Sequence, residues 1–138
     1  MKKCMSLVLC VFLLSACQMS PPSLSAKADG KSLTVYTGSY CWEAFGKGEC
    51  VSTGGPNDLM GEDKPPAVSA ESEATLSFSE KPDELHMKRE GSTETIEGTS
   101  ENGKASFALP DEPGVYVYTA AGRWEQGSAV YMLQVQVD

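Results

Sequence analysis

The stretch that decides the fold is the end of the chain, Pro113–Val137, which reads PGVYVYTAAGRWEQGSAVYMLQVQV. Its last part alternates: Tyr131, Leu133 and Val135 face one way, and the residues between them face the other. Alternation with a period of two is typical of a β-strand with one buried face. Gly127 lies in the turn between two such runs, so the stretch predicts an antiparallel hairpin.

Shorter runs of the same kind extend towards the N-terminus. They are divided by Gly, Pro, Asn and Asp, which favours strands joined by turns. The predicted strands are 32–37 with 39–42 continuing or bending from it, 49–52, 74–79, 85–88, 93–97, 105–109, 115–121 and 128–137. One helical turn is predicted at 57–60, capped by Asn57. About 7–8 short strands with turns every 8–12 residues predict an all-β fold, an antiparallel β-sandwich.

The C-terminal hairpin resembles the closing hairpin of immunoglobulin-like domains, in which a strand with alternating aromatics turns back into a final strand. The resemblance covers about a quarter of the chain. The Cys…Trp…Cys pattern that bridges the two sheets of antibody domains is absent. The resemblance therefore implies an immunoglobulin-like architecture and no particular activity.

The start of the chain has the pattern of a secretory signal. Lys2 and Lys3 precede an apolar run over residues 5–14, and small residues follow it. The run is shorter than the roughly 20 apolar residues that a membrane-spanning helix needs. The sequence predicts a signal helix over residues 1–16.

The residues Leu14-Ser15-Ala16-Cys17 resemble the lipobox of bacterial lipoproteins. That resemblance implies that the sulfur of Cys17 takes a diacylglycerol and that the chain is cut just before it. It also implies an extracytoplasmic protein attached to the membrane through the lipid on Cys17. In a Gram-positive host it would lie on the outer face of the plasma membrane.

A second resemblance concerns small lipoproteins from Gram-positive spore-forming bacteria, a family without an established activity. It depends on Gly38-Ser39-Tyr40-Cys41-Trp42, on Cys50, and on two C-terminal pieces, Gly114-Val115-Tyr116 and Arg123-Trp124. It implies location and architecture only.

Residues 18–31 lack periodicity and are rich in Ser, Pro, Ala and Gly. We expect residues 17–31 to be a lipidated, flexible tether with a mean reach of about 20 Å. Residues 32–138 then form one β-sandwich domain.

The charge excludes some partners. The chain has 11 basic and 19 acidic side chains, and the signal removes two lysines and no acid. The mature chain is therefore strongly acidic, which argues against nucleic acid as a partner and against lying flat on anionic lipid.

Two of the five cysteines, Cys4 and Cys10, leave with the signal, and Cys17 is consumed by lipid. We expect Cys41 and Cys50 to form a disulfide, because disulfides persist outside the cytoplasm. The alternatives are a metal pair or a reactive thiol, but neither CxxC spacing nor a nearby histidine supports them.

The sequence offers little catalytic chemistry. His86 is the only histidine and lies in an ordinary strand pattern, and neither a GxSxG elbow nor a phosphate-binding glycine loop is present. Scattered methionines and an acidic loop are weak metal ligands. These residues are Met19, Met60, Met87 and Met132, and Asn57, Asp58, Glu62 and Asp63. The sequence predicts neither an enzyme nor a metal or cofactor.

The candidate binding residues are Tyr40, Trp42 and Phe45 on the disulfide hairpin, and Trp124 near a strand end. Rigid hairpins bearing aromatics suit recognition, but the same side chains also suit a sandwich core. The leading hypothesis is a non-catalytic binding module at the cell surface, with an unknown envelope or protein ligand. Contacts are expected at the hairpin and the loop 54–66. The alternatives are a small hydrolase or metal-dependent enzyme built on His86 or an acidic pair, and a structural envelope component.

Overall fold

The folded chain consists almost entirely of β-structure. The computed structural model describes residues 20–61, 64–93, 95–96 and 99–138. These residues form eleven strands and one short helix. In chain order they are β1 (Leu24–Ala28), β2 (Lys31–Ala44), β3 (Lys47–Val51), α1 (Pro56–Met60), β4 (Ala67–Val68), β5 (Glu73–Phe78), β6 (Glu84–Arg89), β7 (Thr95–Ile96), β8 (Thr99–Glu101), β9 (Lys104–Ala108), β10 (Gly114–Trp124) and β11 (Gly127–Val137).

The C-terminal hairpin forms as its alternation predicts. β10 and β11 pair antiparallel along their whole length, from Gly114 opposite Val137 to Trp124 opposite Gly127. The side chains of β11 that were expected to face inwards are no more than 1% exposed: Tyr131, Leu133, Val135 and Val137. This hairpin is the centre of one sheet, because β6 pairs with the free edge of β10 and β2 with the free edge of β11.

The strands form an antiparallel sandwich that is nearly closed into a barrel, with the two-residue β4 pairing parallel to the end of β11. One layer has the order β1-β5-β9-β8 and the other has β7-β6-β10-β11-β2. When β2, β3 and β4 are set aside, the remaining strands can be lettered as in immunoglobulin domains. β1, β5, β9 and β8 correspond to A, B, E and D in one layer, and β6, β10 and β11 correspond to C, F and G in the other. β7 is an added strand beside β6. This is the strand order of an immunoglobulin sandwich. The structure contains more strands than the expected 7–8, because β1, β4 and β8 have weak sequence patterns.

The hairpin of β2 and β3 is inserted between the first and second strands of that arrangement. The start of β2 pairs with β1 in one layer, and its continuation pairs with β11 in the other. β2 therefore joins the two sheets, and its far end extends with β3 beyond the turn between β10 and β11.

The prediction of a flexible tether over residues 17–31 is wrong from Pro22 onwards. β1 lies between β2 and β5 in the sheet, and the carbonyl of Pro22 accepts a hydrogen bond from the hydroxyl of Tyr131. Pro22 is fully buried. The inward residues Ala26 and Ala28 are small, so their alternation gave little hydrophobic signal. The predicted signal peptide over residues 1–16 and Cys17 lie outside the described residues.

The helical turn predicted in the loop after β3 is present but begins earlier than expected. Its cap is Gly55 rather than Asn57, and Pro56 takes the first helical position, which suits its fixed φ. The carboxylate of Asp58 accepts a hydrogen bond from the backbone N–H of Gly55 at 3.1 Å. Met60 packs inwards and is 4% exposed.

Candidate functional site

The candidate site is built on the hairpin formed by β2 and β3. Cys41 and Cys50 lie directly opposite each other in its register and form a disulfide, which confirms the predicted pairing. The last pair of the ladder is Ala44 opposite Lys47, so only Phe45 and Gly46 form the turn. We call residues 44–47 the hairpin tip.

Two of the four candidate binding aromatics are core residues. Trp42 is 3% exposed and Trp124 is 4% exposed. Their rings meet edge to face at 5.8 Å, and Trp124 contacts Phe78 at the same centroid distance. The indole N–H of Trp124 donates a hydrogen bond to the carbonyl of Glu80 at 3.0 Å. Both indoles join the hairpin and the β10–β11 turn to the core, and neither offers a surface to a ligand.

The other two candidates differ in their exposure to solvent. Tyr40 is half-buried and packs against the core. Phe45 is 70% exposed, and among the described residues the exposed large hydrophobic side chains are Phe45 and Val115. Val115 lies near the start of β10, at the opposite end of the sandwich from the hairpin tip. Phe45 is therefore the candidate aromatic that is available for contact.

The backbone of Phe45 has a left-handed conformation that is strained for this residue, as a comparison with two other turns shows. Three tight hairpin turns have positive φ at both central residues: Asp29-Gly30, Phe45-Gly46 and Asn102-Gly103. This type I′ geometry strongly favours Asn-Gly and Asp-Gly. Phe45 has φ 54°, a left-handed conformation that is disfavoured for a bulky side chain.

At the equivalent position of the β1–β2 turn, the polar side chain of Asp29 makes hydrogen bonds to a segment distant in the chain. Asp29 accepts hydrogen bonds from the backbone N–H and the hydroxyl of Ser69, at 3.1 and 3.0 Å. These bonds hold the pKa of the Asp29 carboxyl below its usual value. Phe45 has no hydrogen-bonding side chain. Of the three turns, only the hairpin tip places a large apolar residue at the strained position.

The β10–β11 turn contacts the β2–β3 hairpin next to its tip and fixes the position of the tip. The backbone N–H of Glu43 donates a hydrogen bond to the carbonyl of Gln126 at 2.8 Å. The backbones approach so closely here that a Cβ on Gly127 would lie 2.0 Å from the carbonyl oxygen of Cys41. Disulfide, ladder and turn together fix the position of Phe45 before any ligand arrives.

The remaining candidates are His86 and the residues considered as metal ligands. His86 is exposed on β6 beside a depression of about 190 Å³ that is also lined by Lys88 and Thr119. The part of the chain that the structure describes contains no group of three or more His, Cys, Asp or Glu side chains that could hold a metal ion. Glu62 and Asp63 of the acidic loop, and Met19, lie outside it.

A titratable side chain on the central strand β11 is affected by burial and contacts the segment before β1. Burial raises the pKa of Tyr131 to about 12, and its hydroxyl donates to the carbonyl of Pro22. This bond attaches the segment before β1 to the central strand β11.

Comparisons with protein-family models, with curated proteins and with solved structures give no match for this chain. Over the described residues, the structure contains no helix with the length and apolarity needed to cross a bilayer.

Proposed function

We propose that this chain is an extracytoplasmic lipoprotein, anchored through a lipid on Cys17, whose sandwich is a non-catalytic binding module. The anchoring part is supported by the residues Leu14-Ser15-Ala16-Cys17, which resemble a lipobox. The binding part is supported by Phe45. A large apolar side chain that is exposed and kept in a strained backbone conformation is an outlier from which a binding role can be inferred.

The hairpin tip suits a contact residue because its ordering is completed during folding. The ladder, the disulfide and the bond from Glu43 to Gln126 fix the turn, so binding orders only one aromatic side chain. Tyr40 and Trp42 lie behind the tip and support it. The site residues of the proposal are therefore Phe45 as the contact and Cys41–Cys50 as the brace.

The test separates anchoring from binding. Mass spectrometry of the protein purified from membranes is expected to show a chain that begins at Cys17 and carries acyl chains. Cys17→Ala is expected to release the protein from the membrane fraction. A wild-type chain that retains residues 1–16, or that carries no lipid, would refute the anchoring.

For binding, residues 18–138 are mixed with the envelope fraction of the host and sedimented. We expect Phe45→Asn to reduce the bound fraction, whereas Val115→Asn, a matched change at the other exposed hydrophobic residue, leaves it unchanged. Equal binding by wild type and Phe45→Asn would exclude the hairpin tip as the contact.

A further inference from the structure

The hairpin tip lies at the end of the sandwich where the chain enters it. β1 begins at Leu24 and β2 ends at Ala44, and because the two strands are antiparallel, these two ends point the same way. Ser23 and Ser79 exchange hydrogen bonds of 2.9 Å just after β5 ends. The β5–β6 loop is bonded to Trp124, next to the β10–β11 turn on which the hairpin tip rests.

Only a short piece of chain separates this end from the proposed lipid. Pro22 is buried and its carbonyl accepts a hydrogen bond from Tyr131, so five residues of chain separate the proposed lipid on Cys17 from the folded domain. Five residues of extended chain span at most about 18 Å. The eleven residues of β11 extend about 35 Å along the sandwich. The connection is therefore shorter than the domain, and it holds the end that carries the tip near the bilayer.

The chemistry of the hairpin tip fits the bilayer interface. Phe45 is apolar and exposed, and Lys47 beside it is an exposed cation that can meet lipid phosphates. Residues 44–47 contain no acidic side chain, although Glu43 and Glu125 lie just behind them. The sides of the strongly acidic domain would meet the surface less favourably, which supports an end-on orientation with shallow contact.

We infer that the partner of the hairpin tip is the membrane to which the protein is anchored, with Phe45 in the interfacial layer of the leaflet that holds the lipid. This inference rests on the proposed lipid anchor. It replaces an unknown ligand with a lipid surface and fixes the orientation of the domain. The β1–β2 turn and the start of β10 then face away from the bilayer.

The test uses the lipidated protein, purified from membranes and reconstituted into phosphatidylcholine vesicles. Phe45→Trp introduces a fluorescent reporter at the tip, and Val115→Trp is the matched control at the opposite end. Trp42 and Trp124 are buried in all proteins and give a common background that is subtracted. Emission is compared in ordinary vesicles and in vesicles whose lipids carry bromine on the acyl chains.

We expect the added emission of Phe45→Trp to shift to the blue and to be quenched by brominated lipid, and that of Val115→Trp to remain unchanged. Equal responses of the two variants, with both proteins floating with the vesicles, would overturn the docking and leave the lipid anchor intact. If the protein carries no acyl mass and does not float with the vesicles, the anchor is refuted and the docking is refuted with it.

Discussion

Replacing Phe45 with asparagine is expected to stabilise the domain relative to replacement with alanine. Both changes remove the ring, so they differ in how well the new residue accepts φ 54°. The left-handed conformation costs an ordinary residue roughly 1–2 kcal/mol, and asparagine tolerates it best after glycine. The free energy of unfolding of Phe45→Asn should therefore exceed that of Phe45→Ala by about 1 kcal/mol.

The free energy of unfolding of the wild type is expected to lie between those of the two variants, or close to them. The ring is 70% exposed, so its packing contributes less than about 1 kcal/mol, given roughly 1.5–3 kcal/mol for full burial of such a side chain. Thermal unfolding of residues 18–138 should give the Asn variant a midpoint roughly 4 °C above that of the Ala variant.

The converse change supplies the control. Asn102→Phe places the same ring at the equivalent position of the β8–β9 turn, where φ is 52°, and should lower stability by about 1 kcal/mol. If Phe45→Asn is no more stable than Phe45→Ala, the hairpin tip is not strained. The argument that its phenylalanine is kept for contact would then fail.

Three further outcomes follow from the core and the hairpin. Trp124→Phe should lower the free energy of unfolding by about 1–3 kcal/mol in urea titration, because the carbonyl of Glu80 loses its donor; a loss within error of zero would contradict this. Replacing Cys41 and Cys50 by serine should lower it by about 2.7 kcal/mol, with the near-ultraviolet spectrum of the core retained; loss of that spectrum would show that the disulfide holds the core itself. Because the pKa of Tyr131 is about 12 in the folded chain and near 10 when unfolded, the unfolded chain releases this proton first. The stabilisation by protonated Tyr131 is complete below pH 10 and is lost as the pH rises towards 12. Between these values the free energy of unfolding should fall more steeply for wild type than for Tyr131→Phe. Parallel curves of unfolding free energy against pH would refute the assignment.

Sequence reasoning located most strands because their inward residues are large. β11 is the clearest case, since Tyr131, Leu133 and Val135 recur at every second position and all three are buried. β1 has the same alternation, but its inward positions after Leu24 are alanines, and its composition is that of a linker. The Asp29-Gly30 turn that follows it was the available signal, because Asp-Gly predicts a hairpin with a strand on each side.

The candidate site was only partly visible in the sequence. Alternation places Tyr40 and Trp42 on one face of a strand, but it does not tell which face the second sheet covers. That answer depends on residues distant in the chain: Trp124, which meets Trp42 edge to face within the same layer, and Phe78 of the other layer, which packs against Trp124. The exposure of Phe45 and its positive φ likewise depend on the two-residue turn that the ladder imposes.

The charged outer strand β3 has a consequence for crowding. β3 pairs on one side with β2, and two of its five residues, Lys47 and Glu49, are charged. Unpaired edges are templates on which neighbouring molecules can polymerise, and short or charged edges prevent this. Molecules confined to one leaflet and oriented alike would meet edge to edge far more often than in free solution. On the membrane surface proposed above, this charged edge would disfavour strand pairing between neighbouring molecules.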